Sequence, residues 1–111
     1  MNYQSRPELL SLIFSILPEF EAEWAADNEI QDSVPGTLHS VYMSFLQFVS
    51  VTNPTKQQLN KLAILINGAV EAGGDSENAV STCFLEHAGQ VGISPTLRPL
   101  LARESRSRLH A

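Results

Sequence analysis

The sequence predicts an all-α protein: a single domain of five or six helices, arranged as an antiparallel bundle or as a short stack of helix pairs. Apolar residues recur at helical spacing through most of the 111-residue chain, and helix start and stop signals separate these stretches. No stretch alternates polar and apolar residues over the length of a strand. The length fits one domain, and 43% apolar with 17% charged residues is a globular composition.

The first two helices are predicted at about 7–17 and 18–27. Ser5 and Glu8 have the spacing of a capping box, in which each side chain accepts a hydrogen bond from the other residue's backbone N–H. Pro18 falls inside the apolar stripe that follows. Because proline lacks an N–H and clashes with the preceding turn, we expect it to occupy the first position of the second helix.

Two further helices are predicted after a loop at 28–36, where Asn, Asp, Ser, Pro and Gly cluster. The strongest apolar stripe of the chain belongs to the first of them and contains Leu38, Val41, Tyr42, Phe45, Phe48 and Val49. Thr55 and Gln58 then have the spacing of a second capping box. The helix that they start is expected to end at Gly73-Gly74, where glycine can adopt a left-handed conformation.

The C-terminal third is predicted to hold one long helix, one short helix and a tail. The long helix is capped by Asp75 or Ser76 and ends at Gly92, and the short one starts at Ser94. The tail, 103–111, is polar and is expected to fray.

Cys83, Glu86 and His87 form the one cluster with catalytic residue types. On a helical wheel, Cys83 and His87 face the core, Glu86 lies at the rim, and Leu85 points to the opposite side. An apolar side chain there indicates a second packing face or a contact for a partner, and we favour packing within the chain. A reactive thiol needs an electropositive, partly exposed setting, which this apolar face lacks, so no catalytic residue is predicted.

Metal binding and cofactor binding are not predicted either. A structural zinc site needs four Cys or His ligands at recognisable spacing, and the remaining candidates, His39 and His110, are far apart in the sequence. The chain is therefore expected not to be an enzyme. One cysteine cannot form an internal disulfide, the run 9–17 is too short to span a bilayer, and no signal peptide is evident. These features predict a cytoplasmic protein without a membrane partner.

Charge is distributed unevenly along the chain, whose net charge is −5. Seven acidic residues and no basic one lie across 7–55: Glu8, Glu19, Glu21, Glu23, Asp27, Glu29 and Asp32. Four arginines lie near the C-terminus: Arg98, Arg103, Arg106 and Arg108. An acidic surface disfavours nucleic acid and favours a basic partner, although acidic residues also serve solubility alone.

Two short stretches resemble a family of all-helical bacterial proteins that includes immunity proteins of polymorphic toxin systems. They are "LPEFEAEW" at 17–24 and "NAVSTCFLE" at 78–86, the latter following "EAGGD" at 71–75, and the resemblance covers roughly 8–101. It implies a protein that binds and neutralises a cognate toxin, and it carries over no catalytic residues.

Taken with the charge pattern, the first hypothesis is an immunity protein that blocks the active site of a toxin or its access to substrate. Like charges one helical turn apart, without basic partners, are unfavourable in a monomer and favour a binding role. The partner-binding residues predicted on this basis are Glu19, Glu23, Asp27, Glu29 and Asp32. The alternative is a helical adaptor or oligomerisation module that uses Leu65 and Leu85, both of which lie off the main stripes of their helices.

Overall fold

Five long helices and a series of short helical turns make up the part of the chain that the computed structural model describes, residues 5–31 and 38–109, without the side chains of 26–31 and 94. The long helices are α1 (Arg6–Ile16), α2 (Phe20–Gln31), α3 (Leu38–Val51), α4 (Lys56–Ala72) and α5 (Gly74–Cys83). The short segments are a 3₁₀ turn (Leu85–His87), α6 (Ser94–Leu97), a second 3₁₀ turn (Arg98–Leu100) and α7 (Arg103–Arg106). All regular structure in these ranges is helical, which confirms the predicted class.

The central helix of the fold is α5, which packs against both α3 and α4. α1 packs against α3 and α4 as well, while α2 packs mainly against α1 and α3, and α7 packs against α4. The buried apolar side chains of these elements form one continuous core. α2 therefore lies at one margin of the helix cluster, and the C-terminal tail lies against a different helix.

The corner between α1 and α2 is formed around Pro18, as the sequence predicts. The second helix nevertheless begins two residues later than predicted, at Phe20. The Phe20 N–H donates to the Leu17 carbonyl at 3.0 Å and the Glu21 N–H donates to the Pro18 carbonyl at 3.1 Å. These hydrogen bonds make a turn of residues 17–20, and α2 grows from its end.

Only one of the two predicted capping boxes is present. The Gln58 N–H donates to Thr55 Oγ1 at 3.2 Å, and the Thr55 N–H donates to Gln58 Oε1 at 2.8 Å. Gln58 Nε2 also donates to the Ile16 carbonyl at 3.3 Å, which joins the start of α4 to the end of α1. The prediction for Ser5 is wrong, because its side chain makes no cap and only its carbonyl accepts, from the Leu9 N–H at 2.9 Å.

The first four residues of the loop predicted at 28–36 are helical. α2 continues to Gln31, so the prediction is wrong for 28–31, while 32–36 lie outside the described residues. Asparagine costs a helix interior no more than about 0.7 kcal/mol relative to alanine, which is too little to end α2 at position 28.

α4 and α5 meet at a single glycine. Gly73 ends α4 as predicted. Its φ is +73°, a backbone conformation that residues other than glycine rarely adopt. Its N–H donates to the Val70 carbonyl at 3.2 Å. α5 starts directly at Gly74 without any side-chain cap, so the predicted capping by Asp75 or Ser76 is wrong.

α5 ends nine residues before its predicted stop at Gly92. Its last residue is Cys83, and Phe84 leaves the helical conformation with φ of −124° and ψ of −64°. Phe84 and Leu85 are both completely buried. Neighbours on one straight helix point about 100° apart, and the break at Phe84 turns both side chains into the core.

The tail predicted to fray is folded against α4 as far as the structure describes it. Asn67 Oδ1 accepts hydrogen bonds from the Ala102 N–H at 2.9 Å and from Ser105 Oγ at 2.8 Å. Ser105 is almost completely buried. The expectation for 103–111 is therefore wrong for 103–109, because the half-buried carboxamide of Asn67 anchors a segment that looks merely polar in the sequence.

An ion pair and an apolar contact complete the attachment of the tail. Arg108 Nη2 lies 2.7 Å from Glu77 Oε1 on α5, and Leu109 is buried in the core. These contacts hold the C-terminal segment on two helices at once.

Replacing Asn67 by alanine is expected to lower the free energy of unfolding by about 1–3 kcal/mol, because two donors of the tail lose their acceptor. Urea denaturation measures the change. Asn60→Ala is the matched control, since Asn60 is exposed on the same helix. Equal effects of the two substitutions would contradict the anchoring role of Asn67.

Candidate interaction surface

The predicted partner-binding carboxylates lie on and around α2. Glu19 is exposed in the turn before the helix and Glu23 is exposed on it. Asp27 and Glu29 belong to the backbone of α2, but their side chains are not described, and Asp32 lies outside the described residues. The structure thus brings Glu19 and Glu23 to one margin of the fold.

The arrangement of these acids differs from a simple row along a helix. Glu19 precedes the first residue of α2, so it is not one helical turn from Glu23 on the same helix. Glu21, which was not predicted as a site residue, is also exposed, whereas Phe20 and Trp24 face the core. Glu21 could have been included from the sequence, because it belongs to the same uninterrupted acidic stretch.

These three carboxylates have no ion-pair partner among the described residues. The ion pairs found within 5–25 and 38–109 are both made by Arg108, with Glu77 and Glu104. Acidic groups near the C-terminal tail are thus partly neutralised inside the molecule, while Glu19, Glu21 and Glu23 are not. We call these three exposed carboxylates, Glu19, Glu21 and Glu23, the α2 margin. They concentrate negative charge on one part of the surface, where it can attract a basic partner.

A cavity of about 450 Å³ lies at the other charged region, between α4, α5 and the tail. It is lined by Glu71, Glu77, Glu104 and Arg108 among others. Arg108 pairs with Glu77 and Glu104, which leaves Glu71 outside these ion pairs, so the cavity carries less unopposed negative charge than the three carboxylates Glu19, Glu21 and Glu23.

Cys83 is paired with a histidine other than the one that the helical wheel suggests. Cys83 Sγ lies 3.0 Å from His39 Nδ1 on α3, and His39 Nε2 lies 3.5 Å from Asn78 Nδ2. His87 is exposed, with Nδ1 3.2 Å from Gln90 Oε1. The predicted inward position of His87 is wrong because α5 ends before it.

The environment of Cys83 favours the neutral thiol. Burial raises the pKa of the Cys83 thiol above its ordinary value of 9.0, and the charge of Glu86 raises this pKa further. The thiolate is the reactive form, so the Cys83–His39 contact lacks the activation that a nucleophile needs. Within the described ranges, no three His, Cys, Asp or Glu side chains are placed to hold a metal ion.

Cys83 is expected to react slowly with iodoacetamide at pH 7.5, and denaturant is expected to accelerate the reaction strongly. Because the pKa of this thiol is raised by folding, its contribution to stability is present below pH 9 and is lost as pH rises through the folded value. The free energy of unfolding should therefore fall more steeply above pH 9 in the wild type than in Cys83→Ala. Rapid alkylation of the native protein would contradict the neutral thiol.

The face that the alternative hypothesis assigns to self-association is not available. Leu65 is 4% exposed and Leu85 is completely buried, and both belong to the core. α4 contacts both α1 and α5. Because two neighbouring helices cover it, Leu65 is buried although it lies off the main apolar stripe of α4. An adaptor that uses these two leucines would have to unfold to expose them.

Comparison of the chain with protein-family models, with curated proteins and with solved structures found no significant match. No helix within residues 5–31 and 38–109 is both long and apolar enough to cross a membrane.

Proposed function

We propose that this chain is a cytoplasmic immunity protein, which binds a cognate bacterial toxin domain and blocks its active site or its access to substrate. The supporting observation is the set of exposed carboxylates at the α2 margin, Glu19, Glu21 and Glu23, which have no cationic partner among the described residues. The family resemblance of "LPEFEAEW" covers the same segment.

The proposed mechanism is electrostatic complementarity with a basic cleft of the toxin. A cleft that binds a nucleic acid or a nucleotide is positively charged, and the carboxylates of the α2 margin have the opposite sign. Such complementarity accelerates association and excludes partners of like charge, while apolar contacts supply most of the affinity. Occupation of the cleft excludes the anionic substrate directly.

Co-expression tests the proposal. Cells that produce the toxin domain encoded beside this protein's gene are expected to survive when the chain is co-produced, and the two proteins should co-purify as a complex. A vector without the chain is the control. If the toxin remains lethal and no complex is recovered, the proposed function is wrong.

A further inference from the structure

Polar contacts at both ends attach residues 102–109, which we call the C-terminal strap, to two of the long helices. Near its start, Asn67 Oδ1 on α4 accepts hydrogen bonds from a backbone N–H of the strap at 2.9 Å and from a hydroxyl of the strap at 2.8 Å. Near its end, Arg108 Nη2 lies 2.7 Å from Glu77 Oε1 on α5. Leu109 adds an apolar contact, because its side chain is buried in the core. The strap therefore depends on a few side-chain contacts near its two ends.

The backbone hydrogen bonds of the strap cannot keep it folded once these contacts are lost. α7 has only four residues, and isolated helices shorter than about 12–15 residues are marginal in water. The strap leaves the preceding 3₁₀ turn through Leu101 and Ala102, whose backbones are both extended. Within the strap, N–H groups donate to carbonyls of the strap itself from Arg106, Ser107, Arg108 and Leu109. We expect these hydrogen bonds to open together when the strap leaves α4 and α5.

The surface beneath the strap is largely polar. A cavity of about 450 Å³ lies between the strap, α4 and α5. On the side of the long helices it is lined by Asn67, Val70, Glu71 and Glu77, of which Val70 alone is apolar. The strap is not close-packed against this surface, so fewer dispersion contacts hold it there. Because hydrophobic stabilisation scales with the apolar area buried, uncovering these polar groups costs less than uncovering an apolar surface of the same size.

We infer that the C-terminal strap undocks as one unit while α1 to α5 stay folded, and that this movement opens the cavity between α4 and α5 to solvent. Proteins open in such local units with free energies below that of complete unfolding. Arg108 and Glu77 are both partly exposed, and ion pairs in such positions contribute little to stability. The movement does not involve the α2 margin, so it is independent of the proposed function.

Hydrogen exchange of the full chain, read at single amides by NMR, tests whether the strap opens as a unit. The amides of Ala102 and of 106–109 are expected to exchange at similar free energies of opening. They should be protected about tenfold or more weakly than the amides of Leu62 and Ile66 in the middle of α4. Equal protection in the strap and in α4 would overturn the inference, because the strap would then open only on complete unfolding. A strap without any protection would overturn it as well, because it would not be docked.

Two substitutions at opposite ends of the strap test the coupling between its contacts. Asn67→Ala and Arg108→Gln should each accelerate exchange at all of these strap amides, although each removes a contact near one end only. Arg106→Gln is the matched control, since Arg106 is exposed on the strap and makes no ion pair among the described residues, and it should leave the exchange unchanged. If each substitution accelerates only the amides nearest to it, the two ends open separately and the inference is wrong.

The opening of the cavity is measured by alkylation of Val70→Cys in a Cys83→Ala background. Val70 is buried and lines the cavity, so its replacement should react with iodoacetamide about tenfold or more faster than Val41→Cys, the matched control. Val41 is completely buried on α3 and does not line this cavity. Adding Asn67→Ala should accelerate the reaction of Val70→Cys further. Equal rates at the two positions, or a rate at Val70→Cys that ignores Asn67→Ala, would refute the strap as the cover of the cavity.

Discussion

Leu85→Ala is expected to lower the free energy of unfolding by about 2–5 kcal/mol, because it empties a completely buried site in the core. The loss is large for a chain of this size, whose total stability is about 5–15 kcal/mol. Thermal and urea denaturation measure it, and the native population at 37 °C should fall visibly. The result depends on the break at Phe84, which turns Leu85 inward.

His87→Ala is the matched control for this substitution. His87 is exposed, so the change should remain within about 0.5 kcal/mol. An uninterrupted helix from 75 to 91 would reverse the ranking, because it places His87 in the core and Leu85 outside. A costly His87→Ala with a neutral Leu85→Ala would therefore contradict the fold at this point.

Reversing two charges at the α2 margin is expected to have the largest effect on the proposed function. The double variant Glu19→Lys/Glu23→Lys should raise the dissociation constant of the toxin complex about tenfold or more, which corresponds to roughly 1.4 kcal/mol. The two lysines repel a basic partner where the two glutamates attract it. Salt screens both effects, so the loss of affinity should be smaller at high salt concentration. Titration of the residual toxin activity measures the constant.

The control for charge reversal is the single variant Glu71→Lys, which is compared with the single variant Glu23→Lys. Glu71 is exposed in the last turn of α4, where a cation suits the helix dipole, and its reversal changes the net charge by the same amount. Its effect on affinity should be small. Equal losses from both single reversals would show that net charge, and not the α2 margin, determines binding.

Local signals predict most of this fold because they act within one turn of a helix. Thr55 and Gln58 form the predicted box, and Gly73 ends α4 where a positive φ is required. The same pattern at Ser5 fails because its side chain makes no cap and its carbonyl accepts the Leu9 N–H. Spacing thus identifies the start of a helix more securely than it identifies the hydrogen bond that caps it.

The features that the sequence does not predict depend on contacts between distant residues. Nothing in "STCFLEH" resembles a stop signal, and α5 ends there in a conformation that buries both Phe84 and Leu85. The tail is anchored by Asn67 and Ser105, which are 38 positions apart and carry no local pattern. Such pairings arise only when the helices pack.

The candidate site likewise combines features that the sequence predicts with features that it does not. Its charge is visible in the sequence, because acidic residues accumulate without a basic one, and the exposed positions of Glu19 and Glu23 agree with that pattern. The partial exposure of Phe48 is not visible in the sequence, because Phe48 falls on the apolar stripe of α3 that predicts a core position.

Hydrogen exchange of the chain with and without the toxin domain tests most directly whether the α2 margin is the binding surface. Backbone amides of 19–25 and of the second half of α3 are expected to exchange more slowly in the complex, while those of α7 should not change. Protection confined to α7 and the end of α4, with the exchange of α2 unaltered, would contradict the proposed role of the acidic margin.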